Sequence, residues 1–230
     1  MPFHHNERLS FQPFDEWGEV RIYYNGFLPH WRQDGCTYFV TFRLADSVPE
    51  GVLEAWRCER EQWLRTRDIE VNDDNWIGTF RRLSRNDRKL FERYFVSKLF
   101  QTLDEAHGSC VLRDNQLAEI VMKALLHFHT ERLECGDAVV MPNHVHALMT
   151  PYPGYELEDV LHSIKSYTSN QIHARLKTKG TLWMSETHDH IVRDGEELLR
   201  IQNYIRVNPD KARLPDGQYL LHTAEYDLQL

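Results

Sequence analysis

The chain has 230 residues, 41% hydrophobic and 27% charged, the make-up of an ordinary globular protein and enough for one domain carrying an insertion. No run approaches the roughly eighteen apolar residues of a membrane-spanning helix. Cys36, Cys58, Cys110 and Cys135 are scattered without a CxxC pair, which argues against a zinc knuckle and fits free thiols in a reducing cytoplasm. The net charge of -8 argues, taken alone, against a nucleic-acid partner.

That charge is segregated, however. Residues 81–98 hold seven Lys/Arg against two Asp/Glu, and residues 162–180 hold four Lys/Arg and no acid. A basic groove on an acidic body is therefore permitted, although many solvated helix faces are locally basic.

Met1-Pro2-Phe3-His4-His5-Asn6-Glu7 has no apolar signal core, so no secretion is expected. Residues 1–35 are rich in aromatics, Gly and Pro (Trp17, Tyr23, Tyr24, Phe27, Pro29, Trp31) without a period, and read as an irregular arm. Cys36 to Leu44 is β-branched and aromatic, with Tyr38, Val40, Phe42 and Leu44 at strand spacing. Residues 45–113 read as a helical insertion. Pro49 to Arg67 stacks Val52, Leu53, Trp56, Trp63 and Leu64 on one stripe, and Ser84 caps a basic helix with Leu90, Phe91, Tyr94, Phe95 and Leu99. Asp114 caps a helix whose apolar positions (Leu117, Ile120, Val121, Ala124, Leu125, Phe128) repeat cleanly at 3.6 residues.

Next come two strands joined by a turn at Pro142-Asn143, the first including Ala138, Val139 and Val140, the second opening on His144-Val145-His146. Leu157, Val160, Leu161, Ile164, Thr168 and Ile172 mark a long helix expected to end at Gly180. His188 to Arg193 reads as a short strand. Asp194 caps a last helix from Gly195 to about Val207, stopped by Asn208-Pro209 because the residue before Pro disfavours the helical region. Residues 211–230 form a short tail. With the insertion set aside, the order is βαββαβ plus a C-terminal helix. This is an α+β, ferredoxin-like antiparallel sheet, expected to have one face for helices and one free for a substrate.

The chemistry converges on two places. A strand has a period of two, so His144 and His146 leave the same face, a spacing suited to two imidazoles on one metal ion. On an isolated HxH, two strand histidines with no such role are an equally good reading. On the last helix, Tyr204 and Asn208 are four apart and share a face. Set opposite the histidines, they supply a nucleophile, two nitrogen ligands and one oxygen ligand. Such a site suits Mg²⁺ or Mn²⁺ acting on a phosphate, while ligand softness leans towards manganese or zinc. Two other HxH triplets exist. His127-Phe128-His129 lies at a helix end, where residues two apart diverge, and His188-Asp189-His190 sits at a strand edge. His190 and Tyr167 are candidates for lining the site or for packing, and Tyr167, a rival nucleophile, lacks an amide partner at the right spacing.

The stretches "VVMPNHVHALMTP", "HSIKSYTSNQI" and "DHIVRDGEELLRIQNYIRVNPDKARL" resemble the REP-associated tyrosine transposases, single-tyrosine members of the HUH (His-hydrophobic-His) endonuclease superfamily. The likeness covers roughly Gly35 to Leu44 and Leu112 to Leu214, and the "LPHW…GCTYFVTFRLADSVP" opening resembles one branch of the family. It implies that His144 and His146 bind a divalent metal, with Asn208 as third ligand. It further implies that Tyr204 attacks a phosphodiester of single-stranded DNA, leaving a 5′-phosphotyrosine and a free 3′-OH. The implied substrates are repetitive extragenic palindromes that fold into hairpins, met by a monomer or homodimer that is cytoplasmic and nucleoid-associated. DNA affinity is expected from Lys165, Arg175, Lys177 and Lys179, and secondarily from Arg82, Arg85, Arg88 and Lys89. Two alternatives compete: a domesticated hairpin-binding protein without transposition, and a metal-dependent phosphoesterase that uses water.

Overall fold

In the computed structural model, which describes residues 8–24, 29–70 and 76–227, the elements follow from local capping and periodicity. They are β1 (Leu9–Ser10), β2 (Arg21–Tyr24), β3 (Pro29–Arg32), β4 (Tyr38–Arg43), α1 (Glu50–Arg65), α2 (Trp76–Arg81) and α3 (Arg85–Asp104). A 3₁₀ turn (Val111–Arg113) leads to α4 (Asn115–His127), β5 (Leu133–Val140), β6 (His144–Pro151), α5 (Leu157–Leu176), β7 (His188–Ile191), α6 (Gly195–Lys211), β8 (Leu220–His222) and β9 (Tyr226–Asp227). Ser84, Asp114 and Asp194 each cap a helix by accepting a backbone N–H, from Asp87, Gln116 and Glu197 respectively.

Five strands form one antiparallel sheet in the order β7-β4-β6-β5-β8. Without β8 this is the expected βαββαβ arrangement. Strand periodicity splits its two faces. Tyr38, Val40, Phe42, Val145, Ala147 and Met149 pack with Leu117, Val121 and Leu125 of α4 and Val160, Leu161 and Ile164 of α5. Phe39, Val139 and Leu148 face the other way, against Leu198, Ile201 and Ile205 of α6, with Phe100 of α3 packed alongside.

Several expectations are corrected. The second face is not free for a substrate, because α6 and Phe100 lie on it. Asn208-Pro209 does not stop α6, which runs on to Lys211. Both residues are buried in the core, and the missing proline N–H costs one helical bond in the last turn only. Helix α5 ends at Leu176, with Lys177 in the left-handed region at φ 55°, before Gly180. The insertion contains α2 besides the two expected helices, and α1–α3 enclose their own small core of Leu64, Ile69, Phe80, Phe91 and Phe95.

The arm is not wholly irregular, since β2 and β3 form a hairpin. His30 and Arg32 on it are tied to buried Asp189 of β7, at 2.5 Å from His30 Nδ1 and 2.5 Å from Arg32 Nη1. The tail adds β8 to the sheet edge, and β9 pairs with β1. Residues 1–7, Phe27 and the side chains of Tyr23, Tyr24 and Pro29, about which expectations were stated, lie outside the described residues, as do 228–230 of the tail.

Candidate active site

His144 and His146 leave β6 on the α6 face, and both are completely buried. A chain of hydrogen bonds fixes their ring nitrogens. Asn143 Nδ2 donates to the His107 carbonyl at 3.1 Å, which turns Asn143 Oδ1 towards His144 Nδ1 at 2.8 Å. That carbonyl oxygen accepts only, so His144 carries its proton on Nδ1 and its Nε2 is bare. His146 Nδ1 lies 2.6 Å from the Thr41 hydroxyl on the neighbouring strand. That hydroxyl can accept from Nδ1 or donate to it; in the tautomer with the proton on Nδ1, the two Nε2 atoms, 3.1 Å apart, turn converging lone pairs towards each other. Burial holds His144 down to about 3. Burial, with its two histidine neighbours, holds His146 well below the ordinary imidazole value. Both rings are therefore neutral, the state that binds metal.

Tyr204 and Asn208 reach the same place from α6. Tyr204 Oη is 3.4 Å from His146 Nε2, and its ring is edge-on to His146 at 5.2 Å. Burial and the nearby Asp104 carboxylate push the phenol above its ordinary value, with Asn208 partly offsetting them, so the resting group is protonated. Asn208 has no solvent exposure. Its Nδ2 points at Asp104 Oδ1 at 3.5 Å, and its Oδ1 is buried without a hydrogen-bond partner. An orphaned buried carbonyl oxygen is costly, and here it belongs to the third expected ligand.

The donor set fits a divalent cation. Two nitrogens at about 2.0–2.1 Å from one ion are separated by about 2.9 Å at a right angle and about 3.4 Å at a tetrahedral one. The observed 3.1 Å lies between. Among the described residues no three His, Cys, Asp or Glu side chains form a metal cage, so the site consists of two imidazoles and an amide, with positions left open. That composition suits an ion that keeps other ligands for its substrate.

The helix that carries the tyrosine is clamped to the sheet. Gly136 sits at a bulge where the β5–β6 register shifts between Cys135 and Ala138. A Cβ there would meet Tyr226 Oη at 1.9 Å, so only glycine lets the tail tyrosine pack so closely. The bulge presents Asp137, fully buried, to α6. Its carboxylate accepts from Arg206 Nε (2.5 Å) and Nη2 (3.2 Å), Gln202 Nε2 (3.1 Å) and the Ala224 N–H (2.9 Å). Gln202 and Arg206 form one polar stripe of α6 and Tyr204 and Asn208 another, with Ile201 and Ile205 packed on the sheet between them.

Sequence reasoning did not single out Thr41, Asn143, Asp137, Phe39, Phe100, Asp104 or His188. Phe100 and Asp104 come from the insertion, through the last turns of α3. The Phe100 ring stacks on Tyr204 at 5.9 Å and meets His146 and His188 edge-on at 5.2 and 5.3 Å. His188 is lowered to about 4 by burial. Two of these had a signal in the sequence, Asn143 as the residue next to the histidine pair and His188 as part of the triplet His188-Asp189-His190.

The remaining expected residues are placed differently. His190 lies on the same face of β7 as His188 but pairs with Glu197 at 3.2 Å. Tyr167 is 53% exposed on α5, on the far side of the sheet, and does not line the site. Lys165, Arg175, Lys177 and Lys179 are on α5 or just beyond it, behind the sheet relative to the histidines. Lys165 is engaged there, donating to the Met184 and Ser185 carbonyls and to Thr187 Oγ1, and burial lowers it to about 8. Arg175 bonds Gln116. Arg82, Arg85 and Lys89 are exposed and Arg88 is half-buried around the start of α3. The charges of Arg88 and Lys89 reach Glu92 together with those of His190 and Arg193, which puts this end of α3 beside β7 and the start of α6.

Residues 111–208 match the family model described as transposase IS200 like. A solved structure of a REP-associated tyrosine transposase bound to a REP hairpin is similar at 15% identity, over 81% of this chain and 74% of that one, with a TM-score of 0.42. A search of curated proteins finds no significant match. His144, His146, Tyr204 and Asn208 all fall inside the matched segment, and over residues 111–208 the likeness of this chain to the tyrosine transposases is borne out.

Proposed function

We propose that this protein is a metal-dependent single-strand DNA endonuclease and transposase, cutting and rejoining DNA beside hairpin-forming palindromic repeats through a phosphotyrosine. The observation that carries this reading is the convergence of three groups in one buried place. These are the facing Nε2 nitrogens of His144 and His146, the unpartnered Asn208 oxygen and the Tyr204 hydroxyl at 3.4 Å. The substrate class rests on the family likeness of residues 111–208.

His144, His146 and Asn208 would hold a divalent ion. When bound, it supplies positive charge that favours the phenolate and neutralises charge developing on the phosphate. The chain's own residues do the rest. Asn143 holds His144 in the tautomer that leaves Nε2 bare, and the Thr41 hydroxyl is placed to accept the His146 Nδ1 proton when Nε2 binds the ion. The Asp137 clamp and the Ile201–Ile205 seam hold α6 so that the phenol faces the histidines. Phe39 and Phe100 wall the phenol in and exclude water. Tyr204 Oη forms the bond to phosphorus and the bond to the 3′ oxygen breaks. The products are a 5′-phosphotyrosine and a free 3′-OH, which takes up a proton. The phosphoester linkage is retained on the tyrosine, so the reaction can run back to rejoin strands.

The histidines and Asn208 have no exposed surface, with Phe39, Phe100 and Tyr204 packed around His146 and Asp104 beside Asn208, so a substrate reaches them only as some of these side chains move. The test is a denaturing gel with labelled hairpin DNA from the repeats beside the gene, in Mn²⁺ or Mg²⁺. A covalent band is expected for wild type and absent for Tyr204→Phe and His144→Ala. Tight hairpin binding with no band in any protein would leave a binding protein instead. Hydrolysis surviving Tyr204→Phe would point to a phosphoesterase that uses water.

A further inference from the structure

Two arginines of the described residues are buried to a similar degree in very different ways. Arg32, 4% exposed, is surrounded by acid: both its Nη atoms bond Asp189, and its Nε bonds Glu158 at 2.7 Å. Arg43, 7% exposed, has no carboxylate within ion-pair distance among the described residues, and the charge of Glu186 reaches it only from farther away. Its guanidinium contacts only the Ser47 hydroxyl at 3.2 Å and the Leu44 carbonyl at 3.5 Å, both through Nη1. A buried cation held by one hydroxyl and one distant carbonyl is poorly compensated, and such an arrangement destabilises a fold unless something else uses the charge.

Its place in the sheet shows what that something is. Arg43 ends β4 and is paired in register with His144. The odd-numbered residues of β4 face α6: Thr41 reaches His146 at 2.6 Å and Phe39 stacks on it at 5.4 Å. Arg43 therefore leaves the sheet on the catalytic face, directly opposite the first histidine of the pair, where cross-strand neighbours have Cβ atoms about 5 Å apart. A guanidinium with free donors in a fixed fork is the side chain best matched to two oxygens of a phosphate.

We infer that Arg43 holds a non-bridging oxygen of the phosphodiester that Tyr204 attacks, so that the substrate's own charge completes a cation site that no carboxylate of the described residues touches. This rests on the proposed function for the identity of the anion, but the anion site itself is separately testable.

The variants are Arg43→Met, which keeps the stem and removes the charge, and Arg43→Lys, which keeps the charge without the fork. Three quantities are read: the thermal midpoint without DNA, the rate of covalent adduct formation at saturating hairpin, and the midpoint shift caused by millimolar inorganic phosphate against chloride at equal ionic strength. Arg43→Met is expected to melt at or above the wild-type midpoint, to lose the phosphate-induced shift, and to form adduct roughly 100-fold more slowly. Arg43→Lys is expected to fall between. A structural arginine behaves in the opposite way: Arg43→Met would melt lower while its phosphate response and adduct rate stayed at wild-type values, and that result overturns the inference. If wild type forms no adduct, it is the proposed function that fails. The phosphate arm then decides alone, with equal shifts in wild type and Arg43→Met removing the anion site.

Discussion

Replacing Asp137 by Asn tests whether the tyrosine helix is held by a buried charge rather than by apolar packing alone. The two side chains are nearly isosteric, so the loss can be read atom by atom. Oδ1 accepts from Gln202, Ala224 and Arg206 Nη2, and an amide oxygen in its place keeps those bonds. Oδ2 accepts from Arg206 Nε at 2.5 Å, and an amide nitrogen there sets donor against donor. One charge-assisted bond is lost, about 1.5–3 kcal/mol. The Arg206 side chain is 43% exposed and can turn to water, which keeps the total near 2 kcal/mol. Asp137→Ala loses all four bonds and leaves buried donors unpaired, for about 3–4 kcal/mol. For a chain of this size 2 kcal/mol corresponds to roughly 4–8 °C in the thermal midpoint. Urea unfolding followed by tryptophan fluorescence measures the first quantity and calorimetry the second. An Asp137→Asn protein within about 0.5 kcal/mol of wild type would refute the reasoning, because the clamp would then be a contact without weight.

Two further outcomes follow from the site. His144 is lowered to about 3 and His188 to about 4, both by burial, and His146 lies well below its ordinary value. The unfolded chain takes up these protons below about pH 6.5 while the folded one does not, so metal-free stability is full above that pH and falls as the pH drops from about 6.5 towards 4. His188→Phe should reduce the slope of unfolding free energy against pH in that window by up to about one proton, and an unchanged slope would show that His188 titrates freely. Millimolar Mn²⁺ should raise the midpoint of wild type by mass action. Asn208→Leu should weaken that response roughly 10- to 100-fold in apparent affinity and His144→Ala should abolish it, as isothermal titration would show; equal Mn²⁺ affinity in Asn208→Leu and wild type would remove Asn208 from the ligand set.

Local sequence pattern was enough for four of the five strands of the sheet and for the candidate reacting groups. A period of two puts His144 and His146 on one face whatever surrounds them, and a period of 3.6 aligns Tyr204 with Asn208. The capping residues Ser84, Asp114 and Asp194 placed the starts of three helices because a cap is a contact within four residues. Local rules failed where distant packing outvoted them. Asn208-Pro209 reads as a helix stop, yet both residues are core, and their burial offsets one missing bond. Which charges share a face of the sheet with the histidines depended on the three-dimensional packing. The basic run after Lys165 is nearer in sequence to the histidines than Arg88, but α5 covers the opposite face of the sheet. That packing also brought in Phe100 and Asp104 from an insertion with no local link to the strand, hung Asp137 on a bulge, and left Arg43 buried without a carboxylate in contact while Arg32 received two. Periodicity says which way a side chain points, and folding decides what it meets there.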